Sequence, residues 1–300
     1  MSRLDKNGSW ARDMLLTIRD WMEPVVLDAR DLFDLDRYPI DRDGPARDAL
    51  LAEVRAALAS NGCAVLDGFL TSVGIATARA EAESVAHLGH RSFNRTNVYF
   101  TADDPSLPED DPRRRFYDRS NSFVPADNFA PTGALRTVQD FPAFDPFIRD
   151  CLQEENFHRY ADPLADVIVN AAEEGNGFPW HFDTNNFTVT IAIQNADRGG
   201  AFEYAANIRA DGEDFDAVRD VLDRVTTLEL NPGDLQLFRG RYSLHRVAPL
   251  EGSTPRYVAI YSYVEEPGMV ATPERCKQLY GRVLPIHYER AGLRADAYLD

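Results

Sequence analysis

The pair His181 and Asp183, separated by one residue, is the first group in this chain that could do chemistry. In a β-strand, residues i and i+2 project from the same face about 6.5 to 7 Å apart, so an imidazole and a carboxylate can meet one cation there. Chance alone gives about 0.6 such pairs in a chain of this composition. The pair therefore permits a metal site, and a core histidine hydrogen-bonded to the aspartate is the alternative.

A third ligand is available at His245, which lies 62 residues after Asp183 and beyond the Asn-Pro-Gly-Asp turn signature at 231–234. Two histidines and one carboxylate on one face of a metal suit Fe(II) and leave positions open for a cosubstrate and O2. Arg256 follows 11 residues after His245, and its planar guanidinium matches a carboxylate bidentately. The same ligands could also hold Zn(II) or Mn(II) in a non-catalytic binding module.

Together, these features resemble the core signature of the Fe(II)/2-oxoglutarate-dependent oxygenases, a double-stranded β-helix (jelly-roll) family. The segments 180–183, 199–204 and 238–247 are similar to a bacterial subfamily that hydroxylates or chlorinates free amino acids, lysine among them. The resemblance covers about residues 160–265 by motif. It implies an α+β fold with a jelly-roll core, flanking N-terminal helices and a lid loop.

The resemblance also implies the roles of the site residues. His181, Asp183 and His245 would bind Fe(II), and Arg256 would bind the far carboxylate of 2-oxoglutarate while succinate and carbon dioxide are released. In chlorinating members a small residue replaces the carboxylate ligand and leaves room for halide, so the retained Asp183 predicts hydroxylation.

One position departs from the family pattern. Many relatives carry Ser or Thr two residues after the arginine, where this chain has Val258. Asn170 and Thr190 are the candidate second donors to 2-oxoglutarate, and each could equally be a structural polar group.

Hydrophobic spacing places these residues on predicted elements. Residues 1–45 are acidic and aperiodic, which indicates an N-terminal arm. The resemblance implies that residues 46–300 form a single oxygenase domain with its core at about 160–265. A helix from Pro45 to about Gly62, a strand at 63–66 and a helix at 72–87 come first. Short apolar runs then predict strands at 166–170, 187–193, 201–204, 227–230, 235–238 and 257–263, with a helical insert at about 212–225.

Residues 102–127 are dense in Asp, Pro and Arg and predict a long loop that could act as a lid. A solvated turn is the simpler interpretation, and the alternative is that Arg119 contacts an anionic ligand. Asn185, two residues beyond Asp183, could contact substrate or belong to a turn at 184–186. His287 also begins a His-x-acid pair, but no distant histidine follows it, which predicts a surface position.

Composition limits the partners. The formal net charge of −17 argues against nucleic acid and favours the encounter with a cationic small molecule, such as a lysine-like amino acid. Three widely spaced cysteines, no signal-peptide pattern and no long apolar run predict a cytoplasmic protein without a membrane segment. The expected reactants are O2 and a small molecule. A peptidyl or carrier-tethered substrate and a homodimer both remain open.

Overall fold

The computed structural model describes residues 28–209, 218 and 225–290 of the 300-residue chain. Within these ranges the helices are α1 Ala29–Leu32, α2 Pro45–Asn61, α3 Ser72–Val85, α4 Ala134–Gln139, α5 Phe144–Leu152, α6 Pro273–Tyr280 and α7 Pro285–Glu289. The strands are β1 Cys63–Leu66, β2 His90–Thr96, β3 Tyr117–Val124, β4 His158–Arg159, β5 Val167–Ala172, β6 Phe178–His181, β7 Thr188–Gln194, β8 Arg198–Gly199, β9 Phe202–Ala205, β10 Thr226–Leu228, β11 Leu235–Phe238, β12 Leu244–Val247, β13 Leu250–Glu251, β14 Arg256–Tyr261 and β15 Tyr263–Val264. The fold is therefore mixed α+β.

Local signals explain the early helices. Proline at the first position of α2 needs no hydrogen-bond partner for its nitrogen, and Gly62 ends the helix with a φ of 64° and an N–H that donates to Leu58 O at 2.9 Å. The hydroxyl of Thr71 accepts from Gly74 N at 3.1 Å and caps α3. The predicted helix, strand and helix over residues 45–87 are confirmed.

Two main antiparallel sheets and two two-stranded pairs, β13-β8 and β15-β4, make up the β structure of the described residues. In the described residues the larger sheet has the strand order β1-β11-β7-β14-β5-β3-β2, and the smaller has the order β10-β9-β12-β6. One face of the larger sheet packs on α2 to α5, where Phe69, Phe144 and Phe147 are fully buried. Burying each such ring contributes about 1.5–3 kcal/mol.

The turn at 231–234 is also confirmed, and Asp234 shows why this residue type occurs there. One carboxylate oxygen accepts from Gly68 N and the other from Asn231 N, both at 2.7 Å. The turn thereby fixes the start of β11 against the end of β1 and holds these two neighbouring strands in register.

The predicted loop at 102–127 is wrong over its second half. Residues 117–124 form β3, which pairs with β2 and with β5, so Arg119 lies on a strand of the larger sheet. The irregular connection is the shorter segment 97–116.

Residues 28–45 of the predicted arm do not form a loose leader. The side chains of Leu32, Phe33, Tyr38 and Ile40 are buried in the main core. The remainder of the arm and most of the predicted insert at about 212–225 lie outside the described residues. None of the helices in the described ranges combines the length and the apolar character that crossing a membrane requires.

Candidate metal centre and pocket

The two histidines of the predicted triad are cross-strand neighbours. His181 ends β6, His245 lies on β12, and the antiparallel register places them directly opposite each other. Opposed residues project from the same face, and the two ring centroids are 4.1 Å apart. The smaller sheet therefore brings together residues that are 64 positions apart in the chain.

Backbone carbonyl oxygens fix the tautomer of both histidine rings. Nδ1 of His181 lies 2.8 Å from Pro179 O, and Nδ1 of His245 lies 3.0 Å from Ser243 O. Since a carbonyl only accepts, each Nδ1 carries a proton, and in the neutral ring Nε2 is then the nitrogen that presents a lone pair. This is the tautomer that a histidine needs to bind a metal through Nε2.

Asp183 closes the triad. Its Oδ1 lies 3.5 Å from Nε2 of His181 and 3.4 Å from Nε2 of His245. Three ligands bound at about 2.1 Å on one face of a metal stand about 3 Å apart, so this spacing fits one ion with little adjustment. Lone pairs that face a carboxylate in a buried site repel it unless a cation lies between them.

The loop around Asp183 holds the carboxylate in place. Its N–H donates to Gly240 O at 3.1 Å, and the Thr188 hydroxyl donates to Oδ2, the oxygen that does not face the histidines. A Cβ added to Gly240 would lie 2.0 Å from Oδ2. Thr188 and Gly240 therefore confine the carboxylate, and the sequence analysis identified neither of them.

Electrostatics favour the metal-binding forms. Burial, together with the neighbouring His245 ring, lowers the pKa of His181 to about 4, so the ring is neutral at pH 7. Burial alone would raise the pKa of Asp183, but the adjacent histidines lower it well below its usual range. The triad therefore offers a neutral imidazole at His181 and a carboxylate at Asp183, the forms that bind a metal.

Both sheets line a cavity of about 220 Å³ that contains the triad. Arg256, the first residue of β14, lies in its wall and is 8% exposed. Its guanidinium has no hydrogen bond or ion pair with the residues that the structure describes, and burial lowers its pKa to about 10, which leaves it charged at pH 7. A buried cation of this kind fits a carboxylate ligand.

The two candidate second donors also line this cavity. Asn170 uses one amide N–H to donate to Ser122 O at 3.3 Å, and its other N–H remains. Thr190 donates its single hydroxyl proton to Gln236 Oε1 at 3.1 Å. As oriented, Asn170 can still donate to a carboxylate and Thr190 cannot.

Arg119 and Asn185 line the cavity as well, Asn185 from the bend at 184–186. The Arg119 guanidinium lies between two aromatic rings, 4.9 Å from the centroid of Phe100 and 4.7 Å from that of Phe178. Arg275 on α6 contributes a further cation to the wall. No local pattern in the sequence could have revealed Arg275, because α6 returns to the site 92 residues after Asp183.

The prediction that His287 lies at the surface is wrong. It is fully buried, and its Nε2 lies 3.1 Å from Oδ1 of Asp162, whose Oδ2 is 3.7 Å from Cys276 Sγ. This group has the donor types of a metal site, but Nδ1 of His287 accepts from Leu284 N at 2.9 Å, so Nε2 carries a proton. The carboxylate also accepts two backbone N–H groups, so hydrogen bonds satisfy the cluster and tie α6 and α7 to the sheet.

Comparisons with known proteins agree with this architecture. The model of the family Halogenase D matches residues 46–275. No curated protein matches the chain.

Several solved structures share the fold. The epimerase SnoN in complex with Fe3+, alpha-ketoglutarate and nogalamycin RO is 14% identical over 75% of this chain and 93% of its own, with a TM-score of 0.51. AviO1 from Streptomyces viridochromogenes Tue57 is 16% identical over 74% of this chain and 97% of its own, with a TM-score of 0.51. The non-heme alpha-ketoglutarate-dependent carbocyclase SnoK of nogalamycin biosynthesis is 14% identical over 70% and 83%, with a TM-score of 0.50. These likenesses and the donor set agree with the prediction that Fe(II) and 2-oxoglutarate are the cofactors.

Proposed function

Because this chain belongs to the Halogenase D family, we propose that it is an Fe(II)/2-oxoglutarate-dependent dioxygenase on a double-stranded β-helix, and that it hydroxylates an unactivated C–H bond of a free amino acid or related small molecule. The observation that carries the proposal is the triad, in which the lone pairs of His181 and His245 and one oxygen of Asp183 converge within 4.8 Å of one another. With Arg256 in the same cavity, the residues present fit both Fe(II) and 2-oxoglutarate.

Each of these residues has a distinct task. His181, Asp183 and His245 would hold Fe(II), while Arg256 would bind the far carboxylate of 2-oxoglutarate with support from the remaining N–H of Asn170. When both are bound, O2 is split between the products: one oxygen atom enters the substrate as a hydroxyl and the other enters succinate as carbon dioxide leaves. The buried aromatic and aliphatic side chains of the cavity exclude water from this reaction.

The retained carboxylate supports hydroxylation over chlorination. Asp183 occupies the position that a small residue takes in chlorinating relatives, and Thr188 and Gly240 hold it there. We expect the wild-type enzyme to give a product 16 mass units heavier than its substrate with or without chloride, as measured by mass spectrometry. A chlorinated wild-type product would contradict this assignment.

The shape of the cavity supports a small substrate. Its volume of about 220 Å³ lies below the range of about 300–1,000 Å³ that drug-sized ligands use. A second cavity, of about 870 Å³, runs beside β3 and β6, but no triad residue lines it. A peptidyl or carrier-tethered residue would need an open route to the triad.

Anaerobic titration tests the proposal directly. Fe(II) and 2-oxoglutarate added to the full-length protein should give a weak visible charge-transfer band, and the band should vanish in His181→Ala and His245→Ala. His87→Ala, which removes an exposed imidazole outside the cavity, is the matched control and should keep the band. A folded wild-type protein without the band would refute the cofactor assignment, and a band without any substrate-stimulated O2 consumption would favour a non-catalytic metal-binding module.

A further inference from the structure

The charges that line the cavity restrict the substrate. Among the described lining residues Asp183 is the one carboxylate, and the triad and Thr188 engage it, whereas Arg119, Arg256 and Arg275 supply three cations. The proposed function assigns Arg256 to 2-oxoglutarate, and the other two cations of the wall are Arg119 and Arg275. The side-chain ammonium of a lysine-like substrate would therefore meet no carboxylate among these residues, which argues against the cationic substrate that the net charge of the chain favours. The α-ammonium of an amino acid differs, because the substrate's own carboxylate lies beside it.

Arg119 and Arg275 reach the cavity from different elements. Arg119 lies on β3, is 7% exposed and is held between the rings of Phe100 and Phe178. Burial and the nearby Arg275 lower the pKa of Arg119 to about 9, so the Arg119 guanidinium stays charged at pH 7. The Arg275 side chain has no hydrogen bond or ion pair with the residues that the structure describes, and α6, which carries it, packs on β2 and β3. Two guanidinium groups that repel each other in a buried wall suit a shared anion.

One part of the remaining wall is apolar. Along β14, Arg256, Val258 and Ile260 alternate onto the cavity face, so the wall changes from cationic to aliphatic within one strand. Ile260 lies about 13 Å along the strand from Arg256. Around it, Ile168 of β5 and Leu279 of α6 belong to the small hydrophobic cluster that α6 forms with the sheet.

Building on the proposed function, we propose that the substrate is a small carboxylate with an uncharged, apolar body. Its carboxylate lies against Arg119 and Arg275, and its hydrocarbon part lies against Ile168, Ile260 and Leu279. Two sources share this chemistry, namely an aliphatic or aromatic α-amino acid and a simple carboxylic acid of the same shape. Lysine, whose side chain brings a cation, and glutamate, whose side chain brings a second anion into the apolar region, do not fit.

A matched panel tests this class on the full-length enzyme. The first measurement is binding of 2-oxoglutarate to the Mn(II)-loaded protein by anaerobic calorimetry; its failure would refute the proposed function and is independent of the substrate. The second measurement is the binding of candidate substrates to the protein already loaded with Mn(II) and 2-oxoglutarate. The candidates are leucine, 4-methylpentanoate, leucinamide, lysine and glutamate, together with phenylalanine and norleucine, which vary the apolar part of the molecule. Succinate formation with Fe(II) and O2 is measured in parallel.

We expect at least one apolar carboxylate to bind about tenfold or more tightly than lysine and glutamate and to stimulate succinate formation, and we expect leucinamide to bind about a hundredfold more weakly than leucine. Leucine and 4-methylpentanoate separate the amino-acid source from the simple acid. If lysine or glutamate binds best, or if no apolar carboxylate binds while 2-oxoglutarate does, the substrate class is wrong.

Variants connect the result to the side chains. Arg275→Gln should weaken the best apolar carboxylate about tenfold or more and leave 2-oxoglutarate binding unchanged, while Glu274→Gln, an exposed neighbour on the same helix, should change neither. Ile260→Glu should reverse the preference towards lysine, because it places a carboxylate in the apolar wall. Unchanged binding in Arg275→Gln would remove this arginine from substrate recognition.

Discussion

The contact between Gly240 and Asp183 gives the sharpest test of the metal centre. A Cβ at position 240 would lie 2.0 Å from Oδ2 and 2.8 Å from Cβ of Asp183, whereas ordinary contacts begin at 3.4 Å. Gly240→Ala must therefore displace the carboxylate by about 1.4 Å. Metal–ligand distances tolerate changes of only about 0.2 Å, so this displacement removes the ligand from its position.

We expect Gly240→Ala to weaken Mn(II) or Fe(II) binding about a hundredfold, the upper end of the effect of altering a group that orients a metal ligand, or about 2.7 kcal/mol. Anaerobic calorimetry on the folded variant measures this loss, and circular dichroism with a urea titration shows whether the fold is retained. In an Asp183→Gly background the same substitution meets no carboxylate, so it should change metal affinity less than about threefold.

The double-mutant comparison makes the reasoning refutable. Wild-type metal affinity in Gly240→Ala would mean that Asp183 relaxes freely or does not bind the metal. Equal losses in both backgrounds would mean that residue 240 acts through the backbone of its loop, whose carbonyl also accepts the N–H of Asp183. Only a loss confined to the Asp183 background supports steric positioning of the ligand.

Three further outcomes follow from other side chains. Arg256→Gln should weaken 2-oxoglutarate binding about a hundredfold while metal affinity changes less than about twofold, as titrations of the Mn(II) protein would show. Arg256→Lys keeps the charge but loses the planar guanidinium, so its affinity for 2-oxoglutarate should lie between those of the wild type and Arg256→Gln. Asp162→Asn should lower the free energy of unfolding by about 2–4 kcal/mol in urea, because the buried carboxylate accepts hydrogen bonds on both oxygens; a loss under about 0.5 kcal/mol would contradict this. Burial raises the pKa of Cys63 to about 11 and raises that of Cys151 further. Neither thiol should therefore react with an aromatic disulfide reagent at pH 8 until the protein is unfolded. Rapid labelling of the native protein would refute this prediction.

The sequence predicts elements well where the signals are local. The helix at 45–61 is bounded by Pro45 and Gly62, and the turn at 231–234 carries its own hydrogen-bonding aspartate. The strands that carry the two histidines, β6 and β12, are not among the predicted strands, and Asp183 lies just beyond β6. Spacing alone permits a metal site, whereas the resemblance to the oxygenase family implies the ligand set, and its role in catalysis stays a proposal.

The hairpin of β2 and β3 could not be predicted in this way. Its second strand, Tyr117–Val124, is mostly polar and lacks the alternation of a half-buried strand, and Phe93 on the partner strand is 77% exposed. Pairing with β2 and β5 stabilises β3 through backbone hydrogen bonds to distant segments. Arg119 consequently resembles a loop residue in the sequence although it is fixed in the larger sheet.

Long-range partners also decide the role of His287. Its sequence neighbours suggest a surface residue. In the core, however, the carboxylate of Asp162, 125 positions earlier, accepts a hydrogen bond from its Nε2. Only the fold shows that pairing. The same holds for Arg275, which reaches the cavity from α6 near the end of the described chain.

The net charge of the chain favours a cationic substrate, whereas the charges in the cavity wall favour an anionic one. The distance over which each acts decides between them. The −17 of the whole chain acts through solvent, where a Debye length of about 8 Å screens it, so it influences encounter rates and little else. Arg119 and Arg256 are buried in the cavity wall, where the lower dielectric strengthens each interaction severalfold. Recognition is therefore set by the cationic and apolar cavity wall, and an acidic protein surface is compatible with an anionic substrate. High salt should accordingly change the rate of substrate association more than the preference between leucine and lysine, and stopped-flow binding at two ionic strengths would show whether it does.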